Sequence, residues 1–407
     1  QRRRQCPAGA GRAGTVTGRG QQTGGNLFHS FSSFNINLGE SATFSGPTSV
    51  NNIISRVTGG SASNINGLLR STIPGADMYL LNPHGVIFGD NASLNIGGSF
   101  YTSTANYLKL GDTGRFDASN PPASVLTTAP PSAFGFLGNS PATISVGDSV
   151  LRVPDGQELS LVGGDIDIVD GNLYAPDGRV VLASVSSQGE VPVDAATLDT
   201  NSFESMGNIS VSNPSGQFPF IGLGEVGNLD VTTTVPGDAA GGGTIVIRSG
   251  QFQVGDGLLR AEVLESTAGG GIDVEATGTV ALSGDTRLLT NTFIFDGNAG
   301  NVDVRAGALA MSDNATISSD SAGNGSGGII TVTADAVDMT GSTSIKADTT
   351  DAGGGGSVTI TTDALTMADN AVVKTSTFGD SASGDAGDIT VNADTIAMSG
   401  DATINSS

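Results

Sequence analysis

Tryptophan is absent from this 407-residue chain, tyrosine occurs four times and cysteine once. So few large aromatics argue against several conventional aromatic-rich cores and for one elongated body. The single cysteine, Cys6, excludes an intrachain disulfide framework and a thiolate metal cluster. Histidine stands only at positions 29 and 84, which leaves no imidazole for a general base or metal centre elsewhere. Positive charge is scarce too, with 17 Lys and Arg against 40 Asp and Glu and a net of −23. Five of the arginines lie in residues 1–25, which hold no acid, so the remainder has 12 basic and 40 acidic residues, a net of −28. Such a surface repels nucleic acid and anionic lipid headgroups, and neither is expected as a partner. No apolar run reaches the roughly 18 residues of a membrane-spanning helix, so direct membrane insertion is not expected. Residues 1–23 also lack the apolar core of a secretory signal, and the chain stops at residue 407 in mid-pattern. A signal removed or lying outside this stretch, and a truncated C-terminus, are the expectation.

Glycine, by contrast, occurs 61 times, and 37% of residues are hydrophobic, too many for a disordered composition. The apolar residues recur with a period. The pairs Ile245/Ile247, Ile272/Val274, Val302/Val304, Ile330/Val332, Val358/Ile360 and Ile389/Val391 start at intervals of 27, 30, 28, 28 and 31 residues. One residue between the members puts both side chains on one face of a strand. A second pair follows after seven or eight residues, as at Phe252/Val254, Val280/Leu282 and Leu309/Met311. A third apolar position falls 15 residues after the first at Ile317, Ile345, Val373 and Ile404. Three short strands per unit, with Gly-rich and Asp-rich loops of varying length between units, predict an all-β fold: a right-handed parallel β-helix with three strands per coil. No coil buries its own face, so stacking at roughly 4.8 Å per coil must do so. Gly243, Gly271, Gly300, Gly328, Gly356 and Gly387 stand just before the first strand, where a positive φ or a tight corner is expected. No GKS or GKT follows them, so they form no phosphate loop and imply no cofactor. Less regular alternation upstream, as at Ile144/Val146 and Ile166/Ile168, predicts irregular coils of the same solenoid. The open first end needs a cap, and the phenylalanine-dense segment 27–44 is expected to be that lid.

Five blocks in the N-terminal part stand in order: Gly25-Asn-Leu-Phe-His-Ser-Phe31, Asn51-Asn-Ile-Ile-Ser-Arg-Val-Thr-Gly-Gly60, Ile65-Asn-Gly67, Leu81-Asn-Pro-His-Gly-Val-Ile-Phe-Gly89 and Gly98-Ser-Phe-Tyr-Thr-Ser-Thr-Ala105. Together they resemble the secretion domain of the filamentous haemagglutinin family of exoproteins. His84 stands where that family usually has a second asparagine. The resemblance implies export across a bacterial outer membrane by a partner β-barrel transporter with periplasmic recognition domains. By the same resemblance, transporter recognition falls to Asn26, Phe28, His29, Phe31, Asn51, Asn52, Arg56, Gly59, Gly60, Asn82, Pro83, Gly85 and Gly89. An Asn-Pro-x-Gly segment is also good turn chemistry in its own right, so these residues are expected to serve folding first. The expected organisation is an Arg-rich leader at 1–23, disordered or non-native, a secretion domain at 24–150, and β-helix repeats at 151–407 with a period of about 28 from residue 243.

Catalytic candidates are few. Asp165 and Asp167 would project from one face of a strand, as carboxylates do in β-helix polysaccharide lyases, but outward Asp between inward Ile is also what a solvated strand requires. The acidic corners 348–351 and 380–388 offer oxygen ligands for calcium, yet the Gly-Gly-x-Gly-x-Asp nonapeptide is missing. No enzyme, no metal and no cofactor is the expectation. The family resemblance points to a secreted or surface-displayed adhesin that contacts host or surface carbohydrate or protein. The rivals are a cytolysin or contact-dependent toxin under the same export label, and a polysaccharide-acting β-helix enzyme.

Overall fold

A computed structural model describes residues 13–17, 20–221, 224–232, 242–263, 269–292, 297–350, 353–378 and 384–407. Cys6 and the first three arginines lie outside the described residues. Among the described residues there is no α-helix, only three short 3₁₀ turns and many short strands. The chain divides into two compact units: Gln1–Tyr174 with Val181–Ile209 and Arg248–Gly250, and Ala175–Val180 with Ser210–Ile247 and Gln251–Ser407.

The second unit holds the regular repeat, and it is a parallel β-helix. Ile272, Val302, Ile330, Val358 and Ile389 are successive in-register partners in parallel strands. Phe252, Val280, Leu309, Val337, Leu365 and Ile396 form a second ladder. Leu229, Leu259, Leu288, Ile317, Ile345, Val373 and Ile404 form a third, which reaches three coils further back than the 15-residue offset shows. The strand count differs from expectation. In the coils that begin at Asn301–Met311, Ile329–Met339, Ser357–Met367 and Ile389–Met398 the first two strands run on as one. An offset of seven is odd, so simple alternation would turn Val337 outward; the alternation slips once at the corner. Ile330, Val332 and Ala334 are buried, then Val337 and Met339, and pairing lapses at Gly307 and Asp335.

The glycine column is real, but its cause is crowding along the stack. A Cβ on Gly300, Gly328, Gly356 or Gly387 would collide with the carbonyl oxygen of Gly270, Gly300, Gly328 or Gly356 respectively, and none of these glycines has a positive φ. In the second coil the crowded residue is Gly270. A Cβ on Gly271 would meet nothing nearer than 3.7 Å. Left-handed backbone occurs instead at the turn before the third strand, where Asp256, Gly284, Asp313, Gly341, Asp369 and Gly400 all have φ between 54° and 81°. Asp and Gly alternate there because a side chain at Gly284 would strike the Asp256 carboxylate, while Asp313 accepts the Gly284 N–H at 3.0 Å and Asp369 that of Gly341 at 3.1 Å. Alternation also keeps like charges two coils apart. The variable loops are tied down by hydroxyls, two of them buried: Thr292 donates to Gly297 at 3.1 Å and Thr349 to Gly354 at 2.8 Å, and the half-buried Thr377 donates to Asp385 at 3.2 Å.

The first unit winds in the same way with uneven coils. Asn26–Phe31, Asn52–Val57, Asp77–Leu81, Phe100–Ser103 and Glu158–Gly163 pair in parallel order. Residues 27–44 are not a lid. They form the first coil itself, with Phe34 and Phe44 fully buried in its interior and Leu38 exposed. The covering strands come from the leader: Ala13–Thr17 pairs with Ser41–Ser45, and Gln21–Thr23 runs antiparallel to Asn26–Phe28. Disorder across 1–23 therefore does not hold for those two segments. The larger surprise is a four-stranded antiparallel sheet of Gly114–Asp117, Tyr107–Leu110, Pro131–Phe136 and Gly189–Pro192, which leaves the winding altogether.

Axial crowding makes a sharp distinction between two glycines that stand just before a first strand. Gly328→Ala is expected to cost about 2 kcal/mol or more in urea unfolding, and Gly271→Ala within about 0.5 kcal/mol. Equal losses at the two sites would mean that the column is not packed as described.

Candidate functional site

The motif residues converge where the antiparallel extension lies on the first coils. All six residues of Asn52–Val57 are buried, on both faces of the strand. Ile53, Ser55 and Val57 face the interior, while Asn52, Ile54 and Arg56 face the extension. Asn26 donates from Nδ2 to the carbonyls of Ala129 at 2.7 Å and Thr127 at 3.1 Å, and Asn52 Nδ2 donates to Asn26 Oδ1 at 2.8 Å. Asn26 thus fixes chain more than 100 residues away, and Asn52 holds the Asn26 amide in place to do so.

Arg56 is the centre of this clasp. Its Nε donates to Ser30 Oγ at 3.1 Å, and one terminal nitrogen donates to the Asp117 carbonyl and to Ser124 Oγ at 2.6 Å. The guanidinium lies 4.2 Å from the centre of the Phe116 ring, which in turn packs 5.0 Å from Phe28. Burial draws the Arg56 pKa below its ordinary value, and the nearby Asp117 charge opposes that shift. Asp117 is held by Arg115 at 2.6 Å, and Arg115 stacks 3.6 Å over Tyr107. Tyr107 donates to Glu190 at 2.7 Å, and Lys109 pairs with the same carboxylate at 2.8 Å. Burial first, then the hydrogen bond to Glu190, pushes the Tyr107 hydroxyl up to about 12. A planar, always-charged donor suits this junction, where three chain segments meet from different sides.

The Asn-Pro-His-Gly block makes a turn. Asn82 is fully buried, donates to Ser61 and Ser63 at 3.1 and 3.0 Å, and accepts the His84 N–H at 3.0 Å. Gly85 has φ 110°, which accounts for its glycine, and Pro83 lies between. A Cβ on Gly89 would touch Asn66 at 2.9 Å, and one on Gly59 would strike the Ser32 carbonyl. Phe31 and His29 face inward, whereas Asn51, Gly60 and His84 are exposed. Of the sequence-derived residues, then, the structure brings Asn26, Phe28, Asn52 and Arg56 together and sets Asn82, Pro83, Gly85 and Gly89 around a separate turn. Sequence reasoning missed Tyr107, Phe116, Asp117, Ser124 and Glu190. Tyr107-Leu-Lys-Leu110, a Gly111–Gly114 turn and Arg115-Phe-Asp117 carry the alternation and turn residues of a hairpin, which was the available signal.

A family model described as the TPS secretion domain matches residues 9–217. The chain belongs to this family. The matched segment runs beyond the 24–150 drawn from the motifs. Among solved structures, the HMW1 secretion domain from Haemophilus influenzae is similar, with a TM-score of 0.54 and 19% identity over 92% of this chain and 97% of that one. That likeness supports the parallel β-helix fold. A search of curated proteins found no match. As a TPS secretion-domain protein the chain is an exoprotein of two-partner secretion, exported through the outer membrane with a transporter as its partner. Of the catalytic candidates, Asp165 accepts the Asn208 N–H at 2.8 Å, and in the acidic corner weighed for calcium Asp348 pairs with Lys374 at 2.6 Å. Of the acidic corners, Asp351 and residues 380–383 lie outside the described residues.

Removing the clasp's centre has a measurable cost. Arg56→Gln is expected to destabilise the secretion domain by about 2–4 kcal/mol in urea unfolding, because a charged donor and a ring contact go together. Ser124→Ala should lose only about 1 kcal/mol, and a negligible effect of Arg56→Gln would show that the extension is held some other way.

Proposed function

We propose that this protein is a two-partner-secreted adhesin, whose secretion domain is read by the outer-membrane transporter and whose β-helix coils present a repetitive polar surface to carbohydrate or protein. The carrying observation is the coincidence of the family match with the clasp: residues of the export blocks are the ones that close the first coils. Asn26, Asn52 and Arg56 are buried once the clasp forms, so they are open to a transporter only while the chain is unfolded. Closure outside the cell would then oppose backsliding, and each later coil would add to a stack that contacts only its neighbours. Rows such as Thr331/Thr359/Thr390 stand one coil apart in register and suit many weak contacts, where avidity substitutes for affinity. Display at the cell surface follows from the same reading.

The export half of the proposal is tested by co-expressing the chain, behind a working signal sequence, with and without its transporter and assaying the medium. Transporter-dependent release that is lost on deletion of residues 26–105 is the expected result. Release without the transporter would overturn the assignment. For the adhesin half, beads coated with released protein should adhere to cells or glycan surfaces, while cell lysis or polysaccharide cleavage in its place would favour toxin or enzyme cargo.

A further inference from the structure

His29 lies in the interior of the first coil with no hydrogen bond to it among the described residues. It is 6% exposed, and its Nε2 is buried without a partner. The in-register residue on the next strand is Ser55, fully buried, whose Oγ also lacks a partner. Around the imidazole stand aromatic rings: Phe44 edge-on at 5.1 Å and Phe31 stacked at 6.1 Å. Above it runs the chain at residue 20, where a Cβ would fall 2.8 Å from His29 Cε1 and 3.0 Å from Nε2. This chain leads into Gln21–Thr23, which pairs with Asn26–Phe28 and stops one residue short of His29. Gly24, with φ 60°, joins cap to coil.

An imidazole so placed has nothing to share a second proton with. Among the described residues, the charged groups on the elements packed against it are turned away: Arg56, on the neighbouring strand, is committed to Ser30, Asp117 and Ser124, and Glu40, which precedes Ser41–Ser45, is bonded to Asn37. The cap strand Gln21–Thr23 carries no charge. Burial alone lowers the His29 pKa, to about 4. We propose that His29 makes the N-terminal cap acid-labile: a proton on the ring drives it toward water, and the segment at residues 20–23 lifts off the first coil to admit it. The freed backbone edge of Asn26–Phe28 is then open to pairing.

The sign follows from linkage. The lifted state titrates near the ordinary 6.5 and the closed state near 4, so the closed cap is fully favoured above pH 6.5 and loses stability as pH falls from 6.5 toward 4. Between pH 7 and pH 5, before most carboxylates titrate, the lifted population should rise about 20-fold.

Hydrogen exchange on the full chain, corrected for the intrinsic pH dependence of exchange, reads this directly in the amides of residues 21–28. Protection there should fall about 20-fold from pH 7 to pH 5 while that of Ile329–Met339 is unchanged, and His29→Phe should abolish the fall. Because that variant risks perturbing the coil, the His29 ring proton is also followed by NMR in His84→Gln, which leaves one imidazole to observe. A cap equally acid-sensitive in His29→Phe, or a His29 resonance titrating near 6.5 in the folded protein, would overturn the proposal.

Discussion

Backbone pairing along the stack is the constraint from which the rest of this molecule follows. An isolated coil has three apolar faces and open strand edges, and neither is satisfied until another coil lies in register above or below it. That spacing brings each residue against its own counterpart in the next coil, so every position must tolerate a near copy of itself. Ile, Val, Leu and Met do so inside. At the corner before the first strand the neighbour's carbonyl fills the place of a side chain, and only glycine remains. At the turn before the third strand two aspartates do not fit together, and Asp and Gly take alternate coils. Threonine hydroxyls then supply polar contacts that hold loops with few apolar residues of their own.

Much of this was legible because a period of about 28 residues and an i, i+2 alternation are one-dimensional signals, and the strands at Ile272, Val302, Ile330, Val358 and Ile389 fall where those signals put them. The reason for the glycines was not legible, since a crowded carbonyl and a positive φ demand the same residue. The fusion of the first two strands depends on a single slipped residue at the corner, which alternation counts blur. Leu259 and Leu288 escaped notice because their spacing from the first strand departs by one residue from the later coils. The antiparallel extension interrupts the winding between Ser103 and Ile144 and again at Gly189–Pro192, and no periodic reading finds an interruption.

The clasp shows a second limit. The export blocks were recognisable as a family likeness, and the family match agrees. What Asn26 and Arg56 do was hidden, because their partners lie 61 to 103 residues further along the chain in segments that carry no motif. The cations of the clasp also matter more than their number suggests. In a strongly acidic protein, Arg56, Lys109 and Arg115 are gathered at one junction, each committed to a hydrogen bond, a carboxylate or an aromatic face.

In-register stacking is tested most directly by spin labels placed on adjacent coils. With Cys6 replaced by Ser, nitroxides at Thr331 and Thr359 should stand one strand spacing apart, roughly 4.8 Å between backbones, and show strong dipolar broadening. Labels at Thr331 and Thr390, two coils apart, should broaden far less. Spectra from Thr331 and Thr359 that match the sum of the single-label spectra would contradict the stacked column and everything derived from it.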